Sequence, residues 1–436
     1  MIILSTINAK YYHASFGLRY LKANLKEFED NTEIIEFTND DSPSIIAEKI
    51  ITKNPSHIGF GCYIWNIEKI LETAEIIKKI CPHIKIIFGG PEVSYEYEDF
   101  LPLCDYLIVG EGELALYDII KNQPAEKIIN IPVCDLNQIK IPYYLYNDED
   151  IKNRIIYVEA SRGCPFSCEF CISSLSKGVR NFDIDIFLKN MQSLLDKGVR
   201  SFKFVDRTFN LDIKRIKKIL DFFKPYKARL HFEIFPDRLN DKMLALIKDY
   251  PEQCLHLEAG VQSFFKPTLD AISRKQDEEK TLKNLKFIIK ETGAEIHADL
   301  VAGLPYSTIK TFEEDFNKII SLKPHELQIG ILKKLRGAPI KRHNTEFDMK
   351  YSSTPPYEIL QNKHISFHDM QSIKRFARYF DVFYNSGNFK EELNFLKTFQ
   401  DWMSFTDFIW TNYNQTYKIS RGRQIQMLQD YKEQNS

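Results

Sequence analysis

The sequence contains no run of the roughly 20 consecutive apolar residues that a membrane-spanning helix needs. Its start, MIILSTINAKYYHASFG, has few basic residues before the apolar stretch and no cleavage site of small residues, so it predicts a first core strand rather than a secretory signal. The net charge of −1 provides no global basic field for nonspecific nucleic-acid binding. We therefore expect a cytoplasmic protein whose substrate is a small molecule or a peptide rather than a nucleic acid.

A reducing compartment argues against disulfides, so the eight cysteines are interpreted as free thiols or metal ligands. Five of them are scattered among apolar or turn residues, which is typical of small buried thiols: Cys62, Cys81, Cys104, Cys134 and Cys254. The other three lie close together in the segment EASRGCPFSCEFC. This clustering favours a shared chemical role.

The chain of 436 residues is too long for one ordinary core and predicts two or three domains. Strands and helices alternate in two series, which indicates parallel α/β folds. We predict a doubly wound parallel sheet at 1–130, a surface linker at 131–154 and a partial (β/α)6 barrel at 155–337. Residues 338–436 are aromatic and helix-prone, and predict a helical C-terminal region.

Cys164, Cys168 and Cys171 form a C-x3-C-x2-C motif directly after the first strand of the second series. Three soft thiolates from one loop can hold three irons of a four-iron cluster and leave the fourth iron open to a substrate-like molecule. A structural zinc site is the alternative, but it would need a fourth ligand, and the next cysteine, Cys254, stands alone. The motif also lies at the carboxyl end of a barrel strand, where the chemistry of β/α barrels collects.

Glycines follow three neighbouring strands of the first series, in GFGCYIWN, FGGPEVS and VGEGE. Ligands of open parallel sheets bind outside the carboxyl ends of the strands, and glycine lets the backbone approach a large flat or phosphorylated ligand. Tight turns alone would also explain such glycines. The candidate ligand-binding residues are Gly61, Gly89, Gly90, Gly110, Glu111 and Gly112.

The cysteine motif, with Phe170 before its third cysteine, resembles the signature of the radical S-adenosylmethionine (SAM) superfamily. FVDRTFN, HFEIFPDRL, EAGVQS and ADLVAGLP resemble later blocks of that family, in the right order over about residues 155–335. The segment with GGP and DYLIVGEGE resembles the cobalamin-binding domain that precedes many of these enzymes. The opening INAKYYHASFGLRYL resembles one subgroup that has an uncharacterised C-terminal extension.

The resemblance implies a [4Fe–4S] cluster on the three cysteines, and reductive cleavage of SAM to methionine and a 5′-deoxyadenosyl radical. It also implies an external electron donor such as flavodoxin or ferredoxin. The residues that it assigns to SAM are Phe170, Asp206, Glu233, Gln262 and Ser263. Asp206 would face the methionine amino group, although VDRT replaces the usual GGE segment here.

On the N-terminal side the resemblance implies cobalamin, held by the six candidate residues given above. The D-x-H-x-x-G loop, whose histidine ligates cobalt in some cobalamin enzymes, is absent from the sequence. His13 and His57 do not fit that loop, and a lone histidine near a strand end is more often a structural hydrogen-bonding group. The resemblance therefore implies cobalamin bound without a histidine ligand.

Three functions stay open on the sequence. The leading hypothesis is a cobalamin-dependent methyltransferase that acts on an unactivated carbon. The alternatives are a cobalamin-linked cyclase or rearrangement enzyme without methyl transfer, and a non-catalytic cobalamin or redox sensor. A methylthiotransferase is disfavoured because such relatives carry three further N-terminal cysteines, whereas Cys62, Cys81 and Cys104 occupy unlike contexts.

The C-terminal region is expected to shape the substrate pocket or to cover the barrel mouth. Its aromatic stripe is typical of core packing rather than of a ligand platform. The stripe consists of Trp402, Phe405, Phe408 and Trp410.

Overall fold

The computed structural model describes residues 1–176 and 178–435. Two six-stranded parallel sheets dominate the architecture, one in each half of the chain, and helices cover them. The fold class predicted from the alternating sequence pattern is confirmed. Within the described ranges, no helix combines the length and the apolar character that a bilayer crossing requires.

The first sheet is built from β/α units whose strands have apolar runs without polar alternation, as in IKIIF, because helices bury both faces. Its strand order is β2-β1-β3-β4-β5-β6, and every neighbouring pair is parallel. The order reverses between β1 and β3, which is the topological switch point where such sheets bind ligands. The elements are β1 (Ile2–Asn8), α1 (Phe16–Ala23), β2 (Thr32–Thr38), α2 (Pro43–Ile51), β3 (His57–Gly61), α3 (Ile67–Ile80), β4 (Lys85–Gly89), β5 (Tyr106–Val109), α4 (Glu113–Asn122) and β6 (Ile128–Asn130).

The segment 131–154, which the sequence predicts as a surface linker, is anchored by buried groups. It contains the short helix α5 (Asp148–Asn153), whose capping box starts at Asn147. Asp150 of this helix accepts a hydrogen bond from Arg19 at 2.7 Å, and Tyr146 is buried beside it with its ring 5.0 Å from the Arg19 guanidinium. The segment therefore packs into the boundary between the two sheets and does not merely pass over it.

The second sheet has the order β14-β13-β12-β11-β10-β7, all parallel, and forms an open partial barrel. A two-stranded antiparallel hairpin, β8–β9, interrupts the series after its first strand. The elements are β7 (Ile156–Val158), β8 (Ser161–Cys164), β9 (Gly178–Asn181), α6 (Ile184–Asp196), β10 (Ser201–Phe204), α7 (Ile213–Phe223), β11 (Arg229–Ile234), α8 (Asp241–Lys248), β12 (Leu255–Gln262), α9 (Lys266–Ala271), α10 (Glu278–Glu291), β13 (Glu295–Ala302), α11 (Ile309–Ile320) and β14 (Glu326–Ile331).

The C-terminal region is helical, with a small antiparallel pair of strands at its start. Its helices pack on α11 and β14, and the rings of Phe316, Phe376 and Phe399 lie within 6 Å of one another. They thereby cover the open edge of the barrel at β14, while Asn362 donates to the Gly303 and Leu304 carbonyls just after β13. The elements are β15 (Lys350–Tyr351), β16 (Ile359–Gln361), α12 (Phe367–Phe380), α13 (Phe399–Tyr413) and α14 (Arg421–Gln434), with a π-helical turn (Asp381–Asn385) after α12.

Candidate functional site: two facing clefts

The three cysteines of the motif line one cavity of about 220 Å³ at the carboxyl end of the barrel strands. Cys164 ends β8, Cys168 is buried, and Cys171 precedes a short 3-10 turn at Ile172–Leu175. Among the described residues that line this cavity there is no fourth cysteine and no histidine. The donor set therefore fits a cluster that leaves one iron free of protein ligands, and it does not fit a four-ligand zinc site.

The hairpin that carries Cys164 was not predicted, and it depends on a glycine. Gly163 has a φ of +92°, and a Cβ at this position would lie 2.3 Å from the carbonyl oxygen of Gly178 on the opposite strand. Only glycine allows the two strands to approach so closely. The close pairing brings the cysteine loop over the end of the barrel.

Arg274 contacts the cluster loop from inside the barrel, and sequence reasoning missed it. Its Nη1 donates to Cys168 Sγ at 3.5 Å, it also donates to the Gly260 carbonyl, and its guanidinium lies 4.0 Å from the centre of the Phe235 ring. Burial raises the pKa of the Cys168 thiol, and the neighbouring Arg274 charge opposes that rise. The arginine thus favours the thiolate, which is the metal-binding form.

Glu169 ties the same loop to two other parts of the chain. Its carboxylate accepts hydrogen bonds from Ser273 at 2.6 Å and from Arg342 at 2.7 Å, and it lies 3.1 Å from Nε2 of His343. The backbone adds a bond from the Ile340 amide to the Glu169 carbonyl. The segment 340–343, at the start of the C-terminal region, therefore holds the cysteine loop. The helices of that region pack elsewhere, on α11 and β14.

Of the residues that the resemblance assigned to SAM, Phe170, Glu233 and Gln262 line the cysteine cavity. Asp206 and Ser263 do not. Asp206 is 3% exposed and accepts hydrogen bonds from the Ala160 amide at 2.9 Å and from a serine hydroxyl in β8, so it supports the strand that leads to the cysteine loop.

Ser263 is turned away from the cavity as well. Its hydroxyl donates to Asp315 of α11 at 2.6 Å, while the Asp315 carboxylate also accepts from the Phe264 amide. A polar side chain at a strand end can face a neighbouring helix or strand as easily as the cavity, and the assignment of both residues to SAM stays a prediction. The next two residues after Asp206 in the chain, Arg207 and Thr208, do line the cavity.

The second cleft lies at the glycine-rich edge of the first sheet and has a volume of about 320 Å³. All six residues predicted for cobalamin line it, and they are Gly61, Gly89, Gly90, Gly110, Glu111 and Gly112. Gly110 has a φ of +87°, and a Cβ there would meet nothing within 4 Å, so the backbone borders open space. The cleft is therefore a cradle that fits a large ligand pressed against the backbone.

Histidine is absent from the described lining of this cleft. His13 instead lies with Nδ1 2.6 Å from the Tyr157 hydroxyl, and His57 starts β3 at the opposite end of the strand. Neither histidine is among the described residues that line the cleft, which therefore fits cobalamin only without a histidine ligand.

Arg162 connects the two clefts. It lines the glycine cleft, and it stands two residues before Cys164 in the strand that enters the other cavity. Its guanidinium lies 2.6 Å from Glu113 and 2.8 Å from Glu159, and 3.5 Å from Glu111. Burial raises the pKa of the Glu159 carboxyl, and Arg162 opposes this rise. The network fixes the cysteine strand against the edge of the first sheet.

Three family profiles match the chain. The B12 binding domain matches residues 3–120, and the radical SAM superfamily matches residues 158–319. A protein family of unknown function, DUF4080, matches residues 345–436. The resemblance inferred from the sequence motifs is confirmed, including the uncharacterised C-terminal extension. The radical SAM domain implies a [4Fe–4S] cluster and SAM, and the B12-binding domain implies cobalamin.

Among curated proteins, the chain is similar to 2-(S-pantetheinyl)-carbapenam-3-carboxylate methyltransferase of Streptantibioticus cattleyicolor, with 22% identity over 64% of this chain and 47% of that protein. The chain spans about half the length of the first such relatives. Among solved structures, the methyltransferase TsrM from Kitasatospora setae matches with a TM-score of 0.66 and 14% identity over 85% of this chain and 80% of that one. The cobalamin-dependent enzyme OxsB matches with a TM-score of 0.70 and 12% identity over 100% of this chain and 75% of that one. These structures show a shared fold.

Proposed function

We propose that this chain, which joins a B12-binding domain to a radical SAM domain, is a cobalamin-dependent methyltransferase that acts on an unactivated carbon of a small molecule or a peptide. The observation that carries the proposal is the arrangement of the two clefts. Arg162 lines the glycine cleft, and Cys164, two residues later, lines the cysteine cavity. Cofactors held in these two clefts would border the same strand, and in the proposed function they would serve one substrate.

In the cysteine cavity, Cys164, Cys168 and Cys171 hold the cluster and leave one iron open for SAM. When bound, the cluster supplies the electron, delivered by a flavodoxin or ferredoxin, that cleaves SAM to methionine and a 5′-deoxyadenosyl radical. Arg274 places a positive charge beside the Cys168 thiolate, which stabilises the negatively charged sulfur ligands. Glu169 holds the loop in place, so that the three sulfur atoms converge.

Phe170, Glu233 and Gln262 surround the space in which SAM fits. Glu233 is the candidate acceptor for the hydroxyl or amino groups of SAM in its ionised form, and burial raises the pKa of this carboxyl to about 7. Arg207 lies 4.0 Å from Glu233 and balances the ionised carboxylate. These side chains orient SAM and exclude water from the space above the barrel.

At the other cleft, the glycine edge would let cobalamin lie against the backbone of the first sheet. Cobalamin would supply the methyl-carrying chemistry. The protein contributes shape there rather than a histidine ligand. Cys134 lies 3.1 Å from Glu111, which is also paired with Arg180, so the acidic side chain at the rim is already engaged by the chain itself.

The test is anaerobic reconstitution with iron and sulfide, followed by EPR of the reduced protein with and without SAM. A [4Fe–4S]⁺ signal that shifts when SAM is added, and that is lost in Cys171→Ala but kept in Cys81→Ala, supports the open-iron cluster. Cys81 is a half-buried thiol at the end of α3 and serves as the matched control. Stoichiometric zinc in place of iron would contradict the proposal.

Product analysis separates methyl transfer from the alternative enzyme function. A methyltransferase forms S-adenosylhomocysteine as well as 5′-deoxyadenosine, whereas a cyclase or rearrangement enzyme forms 5′-deoxyadenosine alone. A protein that binds SAM and forms neither product would be a sensor.

A further inference from the structure

The inner face of the partial barrel is charged along its whole depth. Glu233 and Asp299 line the cysteine cavity. Every second residue of these strands, counted back from them to the amino end, faces the same side of the sheet. In a closed eight-stranded barrel, branched aliphatic side chains fill this space. Here many inward positions carry a charged side chain or a histidine: Lys203, His231, Glu233, His256, Glu258, Glu295, His297, Asp299 and Glu326.

Three of these residues converge at the floor of the barrel. His256, His297 and Glu326 stand on the neighbouring strands β12, β13 and β14, and each offers one donor atom within 4.8 Å of the other two. His297 is the register partner of Glu326, and its Nδ1 lies 3.2 Å from Oε2 of that residue. All three are half-buried.

Each histidine of this set has a further carboxylate beside it. Oδ1 of Asp299 lies 3.2 Å from Nε2 of His297, and Oε2 of Glu295 lies 3.4 Å from Nδ1 of His256. Histidines that bind metals commonly have such a carboxylate on the second ring nitrogen, which fixes the ring and raises its basicity. The His297 Nε2 and Asp299 Oδ1 atoms are buried and form no aligned hydrogen bond in the structure.

The charge of this layer also favours a cation. Glu258 is engaged by Nε2 of His231 at 2.7 Å and by the more distant Lys203 at 3.9 Å. Glu295 is paired with Arg229 at 2.6 Å. Glu326 has no lysine or arginine partner among the described ion pairs, and its partner there is His297. Carboxylates thus outnumber the fixed cations along the inner face, and a dication at the three donors would offset the excess.

We propose that His256, His297 and Glu326 bind one divalent transition-metal ion, separate from the iron–sulfur cluster. Two imidazoles and one carboxylate suit zinc, iron(II) and similar ions, whereas magnesium and calcium prefer oxygen ligands alone. Three protein ligands leave at least one coordination position for water or for an oxygen atom of a bound molecule. Because the same inner face continues to the cysteine cavity through Asp299, the ion would lie at the far end of the space beneath SAM.

The test uses the anaerobically reconstituted holoenzyme and zinc as the probe. After dialysis against micromolar zinc, elemental analysis is expected to find one zinc per chain in addition to the cluster iron. His297→Gln and Glu326→Gln should each weaken zinc binding at least tenfold, since loss of a supporting group alone costs about 10–100-fold in such sites. His364→Gln, on the C-terminal region, is the matched control and should bind as the wild type does.

A wild-type protein that binds no zinc, or variants that bind it unchanged, would overturn the proposal. Zinc-edge X-ray absorption of the wild-type protein gives a readout that does not depend on the folding of any variant. A shell of nitrogen and oxygen at about 2.0–2.1 Å supports the site, whereas a sulfur shell at about 2.3 Å would place the zinc on cysteines and overturn it. Neither readout depends on methyl transfer, so the site can stand or fall independently of the proposed function.

Discussion

Arg162 and Glu113 form an ion pair, with Nη2 2.6 Å from Oε1, that joins the strand of the cysteine loop to the first turn of α4. Glu113 directly follows Gly112 at the glycine edge. The side chain of Arg162 also lies over the Tyr20 ring, 4.7 Å from its centre. One arginine therefore sets the position of the cysteine strand relative to the cleft that fits cobalamin.

Replacing Arg162 by methionine should destabilise the protein by about 3–5 kcal/mol, because it leaves buried carboxylates without their shared partner. The measurement is chemical denaturation followed by circular dichroism. Lys218→Met removes an exposed pair with Asp185 and serves as the control, with an expected change below about 1 kcal/mol. Equal effects of the two substitutions would show that the Arg162 network contributes no more than a surface pair.

Gly110→Leu should abolish cobalamin retention, because the new side chain would project into open space at the glycine cleft. Gly198→Leu is the matched control: Gly198 also has a positive φ, of +97°, with nothing within 4 Å, but it follows α6, away from the cleft. Both variants pay a similar backbone penalty of about 1–2 kcal/mol. Bound cobalamin is measured by absorbance after desalting. Retention in Gly110→Leu at the level of the control would place the ligand elsewhere.

Arg274→Gln should make the reduction potential of the cluster more negative. The guanidinium lies beside Cys168, and a nearby positive charge stabilises the reduced cluster, which carries one more negative charge. EPR-monitored redox titration measures the shift. Arg238→Gln, which removes a partly exposed guanidinium over the Phe166 ring, is the control and should leave the potential close to that of the wild type. A shift towards positive potentials would contradict the assigned role of Arg274.

SAM affinity should rise between pH 6 and pH 8. Burial raises the pKa of Glu233 to about 7, and Arg207 opposes the rise. The ionised carboxylate accepts hydrogen bonds from SAM, so the binding form becomes populated as the pH passes through the pKa. Isothermal titration of the reconstituted protein across this range measures the trend, and Glu233→Gln should flatten it. Tighter binding at the lower pH would show that the carboxyl acts in its protonated form or does not contact SAM.

Trp402→Ala should cost about 3–5 kcal/mol of stability, whereas Trp410→Ala should cost less than about 1 kcal/mol. Both stand in α13, but Trp402 is 1% exposed and packs on Phe380, and Trp410 is 37% exposed. Denaturation of the two variants side by side checks the difference. Similar losses of stability in the two variants would contradict the interpretation that α13 buries one aromatic face in the core and exposes the other.

The sequence was sufficient to predict the site features that arise from residues close together in the chain. The cysteine spacing and the glycines after β3, β4 and β5 are local patterns, and each group lines a single cavity. The direction of a polar side chain at a strand end is not local, because it depends on which element packs beside it. Asp206 and Ser263 were therefore placed in the cavity by sequence, whereas the structure turns both away from it.

The side chains that sequence reasoning missed make contacts between distant parts of the chain. Arg274 meets Cys168, 106 positions earlier, and Arg342 meets Glu169, 173 positions earlier. No spacing rule signals such pairs in a single sequence. The charged floor of the barrel was missed for a related reason: its three donors are spread over the strands β12, β13 and β14, and only the folded sheet brings them together.

The contact of Glu169 with Arg342 and His343 can form only late in the synthesis of the chain. These residues are made 173 and 174 positions after Glu169, which corresponds to roughly 9–35 s of synthesis at about 5–20 residues per second. Until then, a growing chain presents the cysteine loop without its C-terminal fastening. The C-terminal contacts that fasten the cysteine loop therefore form only after the whole radical SAM domain, residues 158–319, has been synthesised.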